Sequence, residues 1–364
     1  CMHYRYPFIY GQPDTRQFPL ATWRSAANWL HGGVRDPAWV IDHIDQDVPM
    51  LIEQIRTRVL PKRGIVAAPD EILITLGSQN ALYLLTRLLL SSTTRIGVEN
   101  PCFREAINTF LLADAEVVPH PVDEEGIVLN ERPCDYYYVT PGHQVPTGVT
   151  MSSARRRQLL EHAARHDAVI IEDDYDSESN FTLNPLPALK ASDRSGRVVY
   201  VSSLSKALSP GLRLGFMVAD PDLIDEARAL RRLVYRHPPT NIQYQMAHFL
   251  AQGHYETHLR RYHYDSAQRW ERLHAALQRY LPSCRALAGS EHANAFWLQT
   301  PAQINTQQLT WRAAHAGVLI EPGARHFLSA APPDNYFRMG FHAINPDAIA
   351  QGVEVLRGQL EQMG

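Results

Sequence analysis

Cysteine is scarce: only Cys1, Cys102, Cys134 and Cys284 occur in 364 residues, none at metal-type spacing from another. Neither a disulfide framework nor a zinc site is expected, and a reducing cytoplasm fits this usage. No apolar run approaches the roughly 20 residues that a membrane helix needs. The opening Cys1-Met2-His3-Tyr4-Arg5-Tyr6 also lacks the apolar core of a signal peptide. Neither membrane insertion nor export is expected. No basic tail or stripe stands out, and the formal net charge is −3 with both signs mixed along the chain. Nucleic acid is therefore not expected to be held by this chain alone. Internal repeats and low-complexity segments are missing too. A cysteine ahead of a methionine reads as a cloning remnant or as a cut inside a longer chain.

What is present is enough for two lobes, since 364 residues at 45% hydrophobic exceed one ordinary core. Seven short apolar or β-branched runs read as buried strands: 71–75, 95–99, 115–118, 136–139, 168–172, 198–202 and 214–218. Helix-like stretches at 78–90, 103–112 and 152–166 lie between them, the alternation of a largely parallel α/β sheet. Further helices are expected at 222–235 and, as a pair, over 242–281. After Cys284 come shorter strand candidates (295–299, 318–321, 336–341) and helices at 306–316 and 347–362. The expected plan is an N-terminal segment over 1–44, a large α/β domain over 45–240 with a mostly parallel seven-stranded sheet, and a smaller α+β domain over 241–364. The first forty or so residues show aromatics and turns but no clear element of their own.

The strongest local signal is Val201-Ser202-Ser203-Leu204-Ser205-Lys206, followed by Ala207-Leu208-Ser209-Pro210-Gly211-Leu212-Arg213. A lysine amine is a nucleophile only when deprotonated, which burial and a neighbouring cation such as Arg213 favour. Ser203 and Ser205 add hydroxyls and Arg213 a fork suited to phosphate. Read alone, the stretch is equally a surface loop with an ordinary lysine. Four other stretches supply complementary chemistry. Gly77-Ser78-Gln79 opens a helix after a strand and offers amides to a phosphate, although Gly-Ser is also a plain helix cap. Glu172-Asp173-Asp174-Tyr175-Asp176 ends a strand with carboxylates and a phenol, able to hold a pyridine nitrogen protonated and to meet a ring hydroxyl; a solvated or metal-binding acidic loop is the alternative. Thr140-Pro141-Gly142-His143-Gln144-Val145-Pro146-Thr147-Gly148 is a turn-rich loop where α/β sheets bind ligands. Arg338, a charge in an apolar strand, requires an anion, either a structural carboxylate or that of an amino-acid ligand.

In this order and spacing the five stretches resemble the fold-type I enzymes of the class I/II aminotransferase group, which use pyridoxal 5′-phosphate (PLP). The resemblance covers nearly the whole chain. It implies that Lys206 forms an internal aldimine, a Schiff base with PLP, that Asp173 pairs with the pyridine nitrogen, and that Tyr175 meets the ring hydroxyl. It further implies that Gly77, Ser78, Gln79, Ser203, Ser205 and Arg213 hold the phosphate, that Phe103 stacks on the ring, and that Arg338 takes a ligand carboxylate. His143 is a candidate neighbour of the ligand. A homodimer is expected by the same analogy.

A narrower resemblance is carried by Tyr6-Pro7-Phe8-Ile9-Tyr10-Gly11-Gln12-Pro13-Asp14, Leu51-Ile52-Glu53-Gln54-Ile55-Arg56, His143–Gly148, Glu172–Glu178 and Gly253-His254-Tyr255-Glu256-Thr257-His258. These are similar to the aminotransferase-like half of MocR/GabR-type bacterial regulators. Those proteins carry a winged helix-turn-helix ahead of this region, so DNA enters only through such a domain. Val145 stands where family enzymes place an asparagine before Pro-Thr-Gly, an asparagine that the regulators also commonly lack; Phe103 replaces a tyrosine and Gly142 a serine. The expected function is exchange of the Lys206 linkage with an amino acid or amine, as the effector-binding and oligomerisation half of a regulator. The alternative is a stand-alone aminotransferase or another fold-type I PLP enzyme of the same lineage.

Overall fold

The computed structural model of the chain describes residues 4–32, 38–130, 132–179, 181, 185–287 and 293–363. The opening Cys1-Met2-His3 lies outside them.

The apolar runs form one sheet: β1 (Ile72–Thr75), β2 (Arg95–Asn100), β3 (Glu116–Asp123), β4 (Gly126–Ile127), β5 (Tyr136–Val139), β6 (Val169–Asp174), β7 (Val198–Ser203) and β8 (Gly215–Val218). Their spatial order is β1-β8-β7-β6-β5-β2-β3-β4. Strands β7, β6, β5, β2 and β3 run parallel, while β8 is antiparallel to both neighbours. The seven expected strands are all here. An eighth, the two-residue β4, is added because Glu124-Glu125 turns the chain back so that Val122 and Asp123 pair with Ile127 and Gly126. Such a short return carries no apolar run for a sequence reading to detect.

Helices α1 (Leu20–Gly32), α2 (Ser78–Leu89), α3 (Arg104–Leu111), α4 (Ser153–Arg165), α5 (Pro221–Val234), α6 (Thr240–Ala251) and α7 (His254–Tyr280) surround this sheet or lead away from it. The first, α1, corrects the expectation that the N-terminal segment has no element of its own. Only Ala26 and Leu30 of α1 are buried, so its apolar stripe is too thin to read. It is held from outside: Trp29 stacks on His248 of α6 with ring centroids 4.1 Å apart, and Trp23 meets Phe249 edge-on at 5.4 Å.

The second sheet is antiparallel, ordered β9-β10-β12-β11 from β9 (Arg285–Ala286), β10 (Ala295–Gln299), β11 (Glu321–Pro322) and β12 (Tyr336–Gly340). Helices α8 (Thr306–His315) and α9 (Ile349–Glu361) cover it. Two large apolar clusters record the packing. One joins Ile72, Phe216 and Tyr200 of the large sheet to Met246, Phe249, Leu259 and Tyr262 of α6 and early α7. The other joins late α7, the second sheet, α8 and α9, and takes in Tyr6 and Phe8. Helix α7 thus spans both cores. Tyr6 and Pro7 pair in parallel with Val318 and Leu319, and the Gly340 amide donates to the Phe8 carbonyl at 3.2 Å. Asp14, the residue that closes this leading stretch, is gripped by Arg269 of α7 at 2.7 Å. No helix among the described residues is long and apolar enough to cross a membrane.

Candidate functional site

The strand ends of a parallel sheet leave a crevice at their carboxyl edge, where loops meet helix N-termini. Here it is a cavity of about 320 Å³ between the two sheets. Gly77, Ser78, Gln79, Phe103, Asp173, Tyr175, Ser203, Ser205, Lys206, Arg213 and Arg338 all line it. The structure therefore brings together every residue singled out from sequence except His143. That imidazole is buried behind Tyr175, with Nδ1 3.8 Å from Asp176 Oδ2, and its backbone carbonyl accepts the Tyr175 hydroxyl at 3.2 Å.

One end of the cavity is built for an anion. Gly77 caps α2 with φ +85° and ψ 171°, a conformation essentially reserved for glycine. Its backbone lies against Gly215, where a Cβ would stand 2.7 Å from Gly77 Cα, and the Arg213 guanidinium folds over it, donating to the Leu76 carbonyl at 2.8 Å. The first amides of α2, which have no acceptor within the helix, face the same place as Arg213. Ser205 acts differently from Ser203. Its hydroxyl donates to the Leu214 carbonyl at 2.9 Å and accepts the Leu214 amide at 2.7 Å, so it braces the lysine loop against the chain entering β8. A Gly77→Ala chain would carry the forbidden backbone angle and a Cβ 2.9 Å from Arg213 Nη2. We expect it to lose about 1–3 kcal/mol in chemical denaturation, along with its affinity for phosphate-bearing ligands.

The centre holds Lys206 and Asp173. Asp173 Oδ2 accepts the Tyr138 hydroxyl at 2.8 Å, while Oδ1 is buried without a partner. Burial pushes this carboxyl up to about 7, against the pull of the Tyr138 hydrogen bond. An unpartnered carboxylate oxygen in a cavity wall fits a cationic ring nitrogen. Lys206 Nζ lies 4.3 Å from the Tyr10 ring centroid and 5.3 Å from that of Tyr175. Burial lowers the pKa of its ammonium and Arg338 adds to this, while Asp176 opposes. Asp176 is itself set by opposing effects. Burial disfavours its charge, but the nearby His143 and the field of Lys206 hold it at about 2.

The far end is formed by the second sheet. Arg338 on β12 faces Glu321 on β11 in cross-strand register, 3.9 Å away, and its guanidinium carbon sits 3.8 Å from the Tyr10 ring centroid. Arg338 Nε is buried and unpartnered. Cys102 and His326 tie the lobes together: the Cys102 amide donates to the His326 carbonyl at 2.9 Å, and His326 Nδ1 bonds the Cys102 carbonyl at 3.0 Å. Sequence reasoning missed Tyr10, Tyr138 and Glu321 as wall residues. Tyr10 carried a signal, since it precedes the turn Gly11-Gln12-Pro13, whereas Tyr138 is one of three consecutive tyrosines and Glu321 an unremarked strand end.

Comparison with known proteins agrees with this geometry. Residues 45–356 match the family of class I and II aminotransferases. The HTH-type transcriptional regulator TauR of Rhodobacter capsulatus is 39% identical over 354 residues, 96% of this chain and 72% of the regulator. The probable rhizopine catabolism regulatory protein MocR of Rhizobium meliloti is 33% identical over 361 residues, 97% of this chain and 72% of that protein. The crystal structure of the Pyrococcus horikoshii kynurenine aminotransferase in complex with PMP superposes with a TM-score of 0.90 at 26% identity, covering 99% of this chain and 91% of that one.

Proposed function

The chain belongs to the class I and II aminotransferase family, and from that premise we propose that it holds PLP through Lys206 and exchanges that link for one to an amino acid or amine ligand. The observation that carries the reading is that one cavity contains a lysine amine, an unpartnered buried carboxylate oxygen on Asp173 and the Gly77–Arg213 anion cradle. These are the three groups that a phosphorylated pyridine aldehyde requires of its protein. Bound PLP supplies an electron sink for charge at the ligand's Cα. The chain's own residues do the rest. Ser78, Gln79, Ser203 and Arg213 hold the phosphate, and Ser205 positions the loop. Asp173 keeps a proton on the ring nitrogen, and a cation at its free oxygen would hold this carboxyl ionised. Phe103 packs on the ring, Tyr175 meets its hydroxyl, and Arg338 takes a ligand carboxylate. Lys206, freed from that link, would be the group to accept a proton from the ligand.

In this reading the large lobe, expected over 45–240, carries the cofactor, and the small lobe, expected over 241–364, brings Arg338 to the ligand. The segment expected over 1–44 places Tyr10 between them. We assign the chain to the effector-binding and oligomerisation part of a MocR/GabR-type regulator. Its similarity to two regulators supports this, and so does Val145, an apolar residue in the cavity wall where family enzymes use an asparagine. The homodimer and the cytoplasm belong to the same proposal, resting on family likeness and cysteine usage. A stand-alone aminotransferase is the second reading, favoured by the complete lysine, aspartate and arginine set.

Absorbance titration of the PLP-loaded protein with amino acids and amines, followed by product analysis, separates the two. The regulator reading expects a ligand-dependent spectral change with no keto product. Stoichiometric conversion to keto acid and pyridoxamine phosphate, made sustained by an added keto acid acceptor, would establish the enzyme instead, and a spectrum that no amino compound perturbs would remove both.

A further inference from the structure

The far end of the cavity carries a charge arrangement that binding of the cofactor leaves unused. Arg338, the cation that meets a ligand's acid group, already has a built-in counter-ion in Glu321, its cross-strand neighbour 3.9 Å away. That separation is too long for a hydrogen bond, so Arg338 Nε keeps a free donor. Glu321 is also 3.4 Å from His326 Nε2 and 3.6 Å from Arg325. Arg325 in turn reaches Glu105 at 3.3 Å and is half-exposed. Burial disfavours charge on Glu321, but the close approach of His326 and the fields of Arg338 and Arg325 hold its carboxyl at about 2, so it is ionised at neutral pH.

Among the described residues of this wall, the guanidinium groups are Arg213, Arg325 and Arg338. Arg213 belongs to the anion cradle, and Arg325 is shared between two carboxylates. Only Arg338 is available to a ligand. One acid group on the ligand takes it and, in doing so, withdraws from Glu321 part of the positive charge that compensates it. A second acid group then meets an ionised Glu321 with no unshared cation beside it.

Building on the proposal that Arg338 receives a ligand's acid group, we propose that Glu321 is a specificity-determining residue: it admits amino compounds carrying one acid group and rejects those carrying two. Like charges a few ångströms apart in a partly buried site reduce affinity by a factor of about ten or more.

The test uses the PLP-loaded protein and two isosteric pairs, L-glutamine against L-glutamate and L-asparagine against L-aspartate, with L-alanine and β-alanine as single-acid references, all read as spectral dissociation constants. In the wild type each amide is expected to bind at least about tenfold tighter than its acid. Glu321→Gln is expected to bring each ratio to within about threefold of unity. A purely structural role for Glu321 would weaken both members of a pair alike and leave the ratio unchanged, and that result overturns the proposal. Equal wild-type affinities within each pair overturn it as well, without any variant and while ligand exchange itself stands. If none of the six compounds perturbs the spectrum, exchange fails first and this proposal falls with it.

Discussion

Replacing Lys206 by alanine is expected to abolish the borohydride-sensitive visible absorption of the PLP-loaded protein while leaving a folded chain. The chain has only three lysines, Lys62, Lys190 and Lys206, and of these only Lys206 lines the cavity. Lys62 is elsewhere, with its ammonium 3.9 Å from Glu256. Borohydride reduction of the wild type followed by peptide mapping should therefore mark one lysine, in the segment after β7. Lys206→Ala should still take up cofactor through the phosphate cradle, but more weakly, and its spectrum should no longer respond to amino compounds by exchange. Any turnover should fall about 100- to 10,000-fold, the usual contribution of a positioned acid–base group. Visible absorption, borohydride sensitivity and cofactor content all unchanged in Lys206→Ala would end the cofactor assignment.

Arg338→Gln is expected to produce the second large effect, confined to ligands that carry an acid group. Truncating one side of a buried, hydrogen-bonded charge pair costs about 2–5 kcal/mol, which is roughly 30- to 4,000-fold in affinity. Amines without an acid group should bind the variant about as well as the wild type, because Lys206 and the phosphate cradle are untouched. A lysine in this position should rescue little, since an ammonium cannot reproduce the planar fork that lies over Tyr10. Spectral titration with β-alanine and a simple alkylamine reads both arms. Equal losses for the two ligands would show that Arg338 holds the lobe together and does not receive the acid.

The large sheet was legible because its strands are buried on both faces, so that Ile170-Ile171 and Val198-Val199 stand as unbroken apolar runs. The anion cradle was legible because Gly77-Ser78-Gln79 is local: a strand, a tight turn and a helix start within a few residues. What escaped depends on distant partners. Helix α1 has two buried side chains and is fixed by α6, more than two hundred residues away. Glu321 acquires meaning only when β11 and β12 pair and set it opposite Arg338. Proximity to the ligand loop suggested His143, but side-chain direction in an irregular loop follows no period, and here it points to Asp176. Ser205 and Ser203 look alike in the sequence and both line the cavity; only the approach of Leu214 marks Ser205 as a brace, while the Ser203 hydroxyl accepts the Ser205 amide at 3.2 Å.

The leading stretch from Tyr6 to Asp14 is stapled to the small lobe at both ends, through Val318–Leu319 and through Arg269, while at its middle Tyr10 donates to Asp176 beneath the cavity at 2.9 Å. Mechanically, it is a drawstring threaded through the site. Any displacement of the small lobe against the large one would load the Tyr10–Asp176 hydrogen bond, because both ends of the stretch are fixed to the small lobe. The cavity wall and the edge of the small lobe are thereby made of one continuous strip of backbone, so tension at either anchor is shared with Tyr10.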